Sequence, residues 1–412
     1  MKTNLYVLLL FICLGLPTRS FAQGGFLMPA QLDHVDIPFE YVNNFIIVTI
    51  LFNRTLPLKM IFDTGAEHTI FTKREISDLL KVKYDKEFHL VGADMKTELV
   101  AYLVRQVRLE ALNLPVVAQS ENILVLKEDY FRFEEYAGVN VHGILSAQSF
   151  AQYIFKINYQ KKVITLYSRK AFGSMESGYQ KVPIEIFRNK VYLQSFAELQ
   201  PDSTAKIKLL LDTGAALPLL LFNNTHPLVH PPGNAISSNI GMGLGGYLAG
   251  YVGRIEGLQM GDFNQKGVVT YFQALDTSLD LSYLNNRNGL VGNIVLSRFF
   301  VILDYHGAAL YLKPSKTFPR SYVFDRSGLQ LIAGGTALNK FIVQGVAPNS
   351  PASEAGFAPG DRILKVGFWP ASFYGLDDIQ QVLKKAPNKK ITLTIRRDGR
   401  KMRKTLVLRN LI

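Results

Sequence analysis

Cysteine is nearly absent: the 412-residue chain contains one, Cys13. A single thiol excludes an intramolecular disulfide framework and any zinc cluster built on cysteines. Histidine is also scarce, at seven residues. The one close pair, His226 and His230, stands among Pro227, Pro231 and Pro232, which forbid the helix that would turn both imidazoles toward one metal. We therefore expect no metal site and no cofactor. The chain has no Gly-x-Ser-x-Gly elbow, which leaves a serine hydrolase of that type without support. Glycine and proline, 32 and 18 residues, are too few for a fibrous or low-complexity chain. With 19% charged residues, 27 Phe and 19 Tyr, the composition is that of a folded protein. Its formal net charge is +13.

No apolar run approaches the roughly 20 residues needed to span a bilayer. The run from Leu5 to Leu16 is preceded by Lys2 and followed by Pro17 and a small-x-small site, Ser20-Phe21-Ala22, the three-part pattern of a secretory signal peptide. We expect residues 1–22 to be removed, Cys13 with them. The product is then exported, periplasmic or secreted, and soluble.

An internal repeat organises the rest of the chain. Ile37-Pro38-Phe39-Glu40 is echoed by Val182-Pro183-Ile184-Glu185. In each copy an apolar run then enters the same tetrapeptide, Asp63-Thr64-Gly65-Ala66 and Asp212-Thr213-Gly214-Ala215. Gly143-Ile144-Leu145-Ser146 answers Gly289-Leu290-Val291-Gly292, and Asn158-Tyr159 answers Asp304-Tyr305. The segments between are short β-branched and aromatic runs such as Phe45 to Ile50, so both copies read as mainly β. Short helices are expected from Lys73 to Leu80 and from Ala147 to Tyr153.

One Asp-Thr-Gly occurs by chance in roughly one chain in ten of this length, and by itself it is a plausible turn. Two copies, each closing an apolar strand at the same point of a repeat, point to chemistry. Each aspartate would carry its carboxylate to the centre of a two-lobed particle. Thr64 and Thr213 would hydrogen-bond across the pseudo-dyad, and Gly65 and Gly214 would let backbone N–H groups approach the carboxylates. Two adjacent carboxylates do not both ionise; they share a proton. One then accepts a proton from an attacking water while the other donates to a peptide carbonyl.

On these motifs the chain resembles the pepsin/retropepsin clan of aspartic proteases over about residues 32 to 314. The apolar-apolar-Gly element that passes behind each catalytic loop in that clan matches Leu290-Val291-Gly292, while Ile144-Leu145-Ser146 has Ser in place of Gly. Alanine at 66 and 215 is similar to retroviral proteases, which implies a mildly acidic optimum. The resemblance also implies a glycine-containing flap, for which Gly241, Gly243, Gly245 and Gly246 are the candidates in the second lobe. Val91-Gly92-Ala93 is the counterpart in the first. The string from Gly241 to Gly246 also fits G-x-G-x-x-G, but Tyr247 to Arg254 reads as strand where a nucleotide site needs a helix, so no nucleotide is expected.

After Pro314 the pattern changes. Pro348-Asn349-Ser350-Pro351-Ala352, Ala355-Gly356 and Gly360-Asp361-Arg362-Ile363-Leu364 precede a helix from Asp377 to Ala386, with Asp377 as its cap. Asp398-Gly399 is a hairpin turn. This module resembles a PDZ domain of the bacterial protease-associated kind. By that resemblance an extended peptide would add as a strand along Phe341-Ile342-Val343, beside the helix. Leu338-Asn339-Lys340 stands where a Gly-Leu-Gly-Phe loop is usual. Basic residues from Lys389 to Lys404 cluster on the last hairpin. Nucleic acid or an anionic membrane surface could use them, but the pattern fits solvated edge protection better.

The fold expected is therefore mainly β, a two-lobed pseudo-symmetric acid-protease-like body plus a small α+β PDZ-like domain. Its segments would be a signal peptide (1–22), lobe one (23–178), lobe two (179–322) and the PDZ-like domain (323–412). The expected function is an exported aspartic endopeptidase with an Asp63/Asp212 dyad, acting on protein or peptide substrates and binding a peptide ligand through its PDZ-like domain. The alternative is a peptide-binding protein whose cleft does not cut.

Overall fold

The apolar runs of the repeat become strands, and they do so twice in the same order. A computed structural model describes residues 25–91, 98–172, 178–243, 246–275 and 282–412. Lobe one contains β1 (His34–Val42), β2 (Phe45–Phe52), β3 (Leu56–Asp63), β4 (Ile70–Phe71) and β5 (Lys86–Val91). It continues with β6 (Glu98–Ala111), β7 (Val117–Leu126), β8 (Gly143–Ser146), β9 (Ile154–Asn158) and β10 (Val163–Tyr167). Lobe two contains β11 (Gln180–Phe187), β12 (Lys190–Gln200), β13 (Ser203–Leu211), β14 (Leu219–Phe222) and β15 (Ile236–Gly243). Then come β16 (Gly246–Met260), β17 (Phe263–Gln273), β18 (Gly289–Val291), β19 (Phe299–Asp304) and β20 (Ala309–Pro314).

The pairing repeats as well. In lobe one β3 runs parallel to β8, and β4 lies antiparallel to β8 and parallel to β7. In lobe two β13, β18, β14 and β17 are joined in the same senses. Hairpins β5–β6 and β15–β16 also correspond. The lobes meet where β9 pairs antiparallel with β19, Phe155 opposite Leu303. Around that seam lies one antiparallel sheet in the order β1, β10, β9, β19, β20, β11. A single apolar core runs through both halves, from Phe26 to Tyr322. Strand β2 is buried on both faces because Ile46, Val48, Ile50 and Phe52 enter this core while Phe45 and Ile47 enter a second apolar cluster, whereas β1 alternates exposed and buried side chains.

Helices are few and short. The expected first helix is α1 (Arg74–Leu79). An unexpected one, α2 (Phe133–Ala137), ends at Gly138, whose φ of +69° suits glycine. The expected helix from Ala147 to Tyr153 is a 3-10 turn of Ala147–Phe150 held by i to i+3 bonds. In lobe two its place is taken by α3 (Asn293–Leu296).

The C-terminal module has its own core, containing Phe341, Val343, Ile379 and Leu393. Its strands are β21 (Leu329–Gly334), β22 (Lys340–Val346), β23 (Arg362–Val366), β24 (Trp369–Pro370), β25 (Lys390–Arg397) and β26 (Arg400–Val407). Its helices are α4 (Pro351–Glu354) and α5 (Leu376–Leu383). Asp377 does not cap α5. The helix starts one residue earlier, and Asp378 accepts from Gly375 N at 2.8 Å instead. Asp398 and Gly399 both have positive φ, as the tight turn between β25 and β26 requires. Two of the basic residues there serve the fold: Arg397 pairs with buried Asp361 at 2.6 Å, and Lys404 Nζ donates to Ala355 O at 2.8 Å.

Among the described residues no helix is long and apolar enough to cross a membrane. Residues 1–22 of the expected signal peptide lie outside the described residues.

Candidate functional site

Asp63 is the last residue of β3, and Asp212 follows the last residue of β13. The loops they begin face each other across the pseudo-dyad and are locked by their threonines. Thr64 N donates to Thr213 Oγ1 at 3.0 Å and Thr213 N to Thr64 Oγ1 at 3.1 Å. Each hydroxyl then donates to the opposite strand, Thr64 to Leu211 O at 2.6 Å and Thr213 to Phe62 O at 2.8 Å. Both threonines are fully buried, so these bonds have no competing water.

The glycines set the carboxylates. Gly65 N donates to Asp63 Oδ1 at 2.6 Å, and Gly214 N to Asp212 Oδ1 at 2.9 Å. A methyl group on Gly65 would stand 2.9 Å from Asp212 Cγ, and one on Gly214 would run into the Asp63 carboxylate. Each carboxylate thus lies over the glycine of the other loop, and the two carboxyl groups hydrogen-bond to each other. Burial, and after it the Asp212 charge, pushes the Asp63 carboxyl well above the ordinary carboxylate range. Burial also raises Asp212, with the Arg287 charge opposing. Both are raised, so the pair shares a proton. Asp63 keeps 9% of its surface open and Asp212 more, so a reactant can reach both.

The strands behind the loops explain why Ser146 stands where Gly292 stands in the second copy. A side chain at 292 would collide with Leu217 O. At 146 the hydroxyl instead donates to Ala66 O at 2.8 Å, which fastens the first Asp-Thr-Gly-Ala loop from behind.

Several neighbours of the pair escape sequence reading. Asn293 Nδ2 donates to Thr213 O at 2.5 Å and to Asn44 O at 2.8 Å, and its Oδ1 accepts from Tyr159 at 2.7 Å. Its signal in the sequence is faint: it follows Gly292, and the repeat has Ala147 there. The β11–β12 turn brings Lys190 Nζ to 3.9 Å from Glu67, just after the first loop. Its positive charge favours the ionised form of Asp63. In lobe one the β1–β2 turn places Phe45 in an apolar cluster with Ala216.

A partly exposed apolar cluster adjoins each loop, with Ala66, Phe88 and Tyr130 in lobe one and Leu217, Tyr271 and Leu290 in lobe two. Of the flap candidates, Gly241, Gly243 and Gly246 lie in the β15–β16 hairpin, where Gly243 pairs with Gly246; Gly245 lies outside the described residues. That string runs strand into strand. In lobe one Val91 pairs with Glu98 across the β5–β6 hairpin, and Gly92 and Ala93 lie outside the described residues.

The expected peptide groove is corrected. Phe341 and Val343 have no exposed surface, and Phe341 and Ile342 pair with β21 on one side and β23 on the other. A strand hydrogen-bonded on both edges offers nothing to an added peptide. One edge of this sheet is β21, which pairs with β22 alone among the described strands; the other is β26, which pairs with β25. Lobe one adjoins the first: α2 packs on β21, Gly138 lies against Leu376 at the start of α5, and Gln344 Nε2 donates to the Tyr136 hydroxyl at 2.8 Å.

Residues 342–397 match the family model of the PDZ domain. Over 59 residues the chain is 37% identical to two proteins each named "Putative zinc metalloprotease", from Brucella suis biovar 1 and Brucella melitensis biotype 1. The stretch is 14% of this chain, and it spans 15% of the length of each of those relatives. Among solved structures the chain is similar to the aspartic proteinase from Irpex lacteus at 12% identity and a TM-score of 0.42, covering 70% of this chain and 99% of that one. The C-terminal module is thus a PDZ domain, carried by a mainly β body of two pseudo-symmetric lobes.

Proposed function

We propose that this chain is an exported aspartic-type endopeptidase whose Asp63/Asp212 dyad hydrolyses peptide bonds. One observation carries the reading: two carboxyl groups, each seated over the other's glycine and hydrogen-bonded together, at the junction of two lobes whose threonines bond crosswise. The ionised member takes a proton from a bound water as that water attacks the peptide carbonyl carbon. The protonated member donates to the carbonyl oxygen, and the amine leaves with a proton returned from the pair. The apolar clusters beside Ala66 and Leu217 favour substrates with apolar side chains flanking the scissile bond. Asp63's raised affinity for its proton supports a mildly acidic optimum.

The relatives' name mentions zinc, which needs three or more converging His, Cys, Asp or Glu donors. Among the described residues no group of three such side chains is placed to hold a metal. The described residues do not fit that ion.

The test is digestion of a random peptide mixture from pH 3 to 8 by the mature chain, beside Asp63→Asn and Asp212→Asn. Each substitution is expected to abolish cutting at every pH. A folded wild type that cuts nothing, with or without residues 323–412, would leave a peptide-binding protein as the better reading. Amino-terminal sequencing of the mature chain should begin at Gln23.

A further inference from the structure

A peptide that adds antiparallel to β21 has its C-terminal end beside the beginning of that strand. A terminal carboxylate would there meet the N–H groups of Ser327, Gly328 and Leu329, a run of backbone donors of the kind that makes an anion nest. All three are already taken. Ser327 N and Gly328 N donate to Asp325 Oδ2 at 3.1 and 2.5 Å, and Leu329 N donates to Ser327 Oγ at 3.0 Å. Ser327 Oγ in turn donates to Asp325 Oδ1 at 2.8 Å.

The loop is also fixed in place. Arg326 N donates to Leu383 O at 3.3 Å and Arg326 Nη1 to Lys384 O at 2.6 Å, which tie it to the end of α5. Ala347 N donates to Gly328 O at 2.8 Å, and Gly328 has φ of +80° with no room for a side chain beside Ser350. The nest is therefore rigid and filled from within.

We propose that Asp325 supplies in cis the carboxylate that this end of the groove would otherwise take from a ligand, so that the groove between β21 and α5 accepts internal stretches of extended polypeptide and rejects free chain termini. A ligand's terminal carboxylate would meet a like charge and no unpaired donor. An internal segment brings no charge to that point; it needs the edge of β21, and α2 of lobe one, which packs on that strand and meets α5 through Gly138, must give way to it. The inference rests on the PDZ domain and is independent of the dyad, and its readout is binding rather than cutting.

The groups facing Asp325 from other elements are Lys384, beyond α5, and Tyr271 of β17. Burial pushes the Asp325 carboxyl up to about 6, against the pull of the N–H groups.

The experiment uses the full chain carrying Asp212→Asn, so that no probe is cut. A random seven-residue library is presented at pH 7.5 with a free C-terminal carboxylate and, separately, with an amidated C-terminus. With Asp325 present, amidation is expected to change capture less than about twofold, and Asp325→Ala is expected to create a preference for the free acid of about tenfold or more. The proposal is overturned if the chain with Asp325 already prefers the free acid about tenfold, or if the alanine variant creates no preference. A second readout needs no substitution at 325. In glycine-labelled protein the Gly328 amide proton is expected to exchange slowly with solvent at pH 7.5, as a proton donated to Asp325 does. A Gly328 amide that exchanges as fast as an unbonded one overturns the proposal equally.

Discussion

The two lobes repeat every strand, yet they differ in how the seam beside the aspartates is satisfied. In lobe two the residue after Gly292 is Asn293, and the tyrosine of the opposite lobe, Tyr159, donates to it. In lobe one the corresponding residue is Ala147, and the corresponding tyrosine, Tyr305, has a buried hydroxyl with no partner among the described residues. A duplicated fold thus keeps its backbone pairing and its Asp-Thr-Gly-Ala loops while one side of the support lapses. Backbone ladders are shared by all side chains on a strand, so they survive substitution. A polar pair is lost with one residue.

The loops themselves offer the largest effect. A methyl group at 214 runs into the Asp63 carboxylate, whereas one at 65 stops 2.9 Å from Asp212 Cγ. Gly214→Ala should therefore lower kcat about a hundredfold or more, as misplacement of a reacting group by about 1 Å does, and Gly65→Ala should lower it less. Equal losses in steady-state assays would mean that the two carboxylates are not seated as the geometry has them.

The support residues come next. Asn293→Ala strips the buried Thr213 carbonyl of a donor and leaves the Tyr159 hydroxyl without an acceptor. That should cost about 2–4 kcal/mol in urea unfolding. Tyr159→Phe should cost about 1–2 kcal/mol, while Tyr305→Phe, which removes an unpaired hydroxyl, should be neutral or slightly stabilising. If the two phenylalanine variants behave alike, the asymmetry has no energetic content.

Lobe one also buries a carboxylate in β7 that β17 does not match. Glu121 accepts from Ser149 at 2.6 Å, its other oxygen has no partner among the described residues, and burial pushes it from 4.5 up to about 7. A carboxyl that holds its proton more tightly when folded gives stability that is full below about 4.5 and is lost as pH rises toward about 7. Glu121→Gln should therefore raise Tm at pH 8, by the equivalent of about 2–3 kcal/mol, and leave it unchanged at pH 4. A gain at pH 4 equal to that at pH 8 would remove the titration from the account.

The repeat and the meeting of Asp63 with Asp212 were legible because a motif doubled at the ends of two apolar strands seldom arises by chance. Thr64 and Thr213 were legible for the same reason. The groove strand was not. Phe341-Ile342-Val343 and Leu329 to Ala333 both alternate as strands do, and only the pairing shows which of them is the edge. The Asp325 nest was hidden because an Asp-Arg-Ser-Gly turn is ordinary until its N–H groups are followed to their acceptors. Asn293 and Lys190 were missed because their partners lie in the opposite lobe, where local pattern carries no information.

Lys190 supplies the finest test of the asymmetry. The turn between the first two strands reaches the opposite loop in both lobes, through Phe45 toward Ala216 in one case and through Lys190 toward Glu67 in the other. Only the second brings charge. Lys190 lowers the Asp63 proton affinity, and its own is lowered first by burial and then by the Arg287 charge. Replacing it with methionine keeps the stem and removes the charge, so the dyad should hold its proton to higher pH, and both limbs of the rate profile should move upward by a few tenths of a pH unit. Glu67→Gln should move them the opposite way, because it removes a negative charge near the dyad and releases Lys190 from its partner. Shifts of the same sign in the two variants would show that the turn acts by packing alone, as Phe45 does in the other lobe.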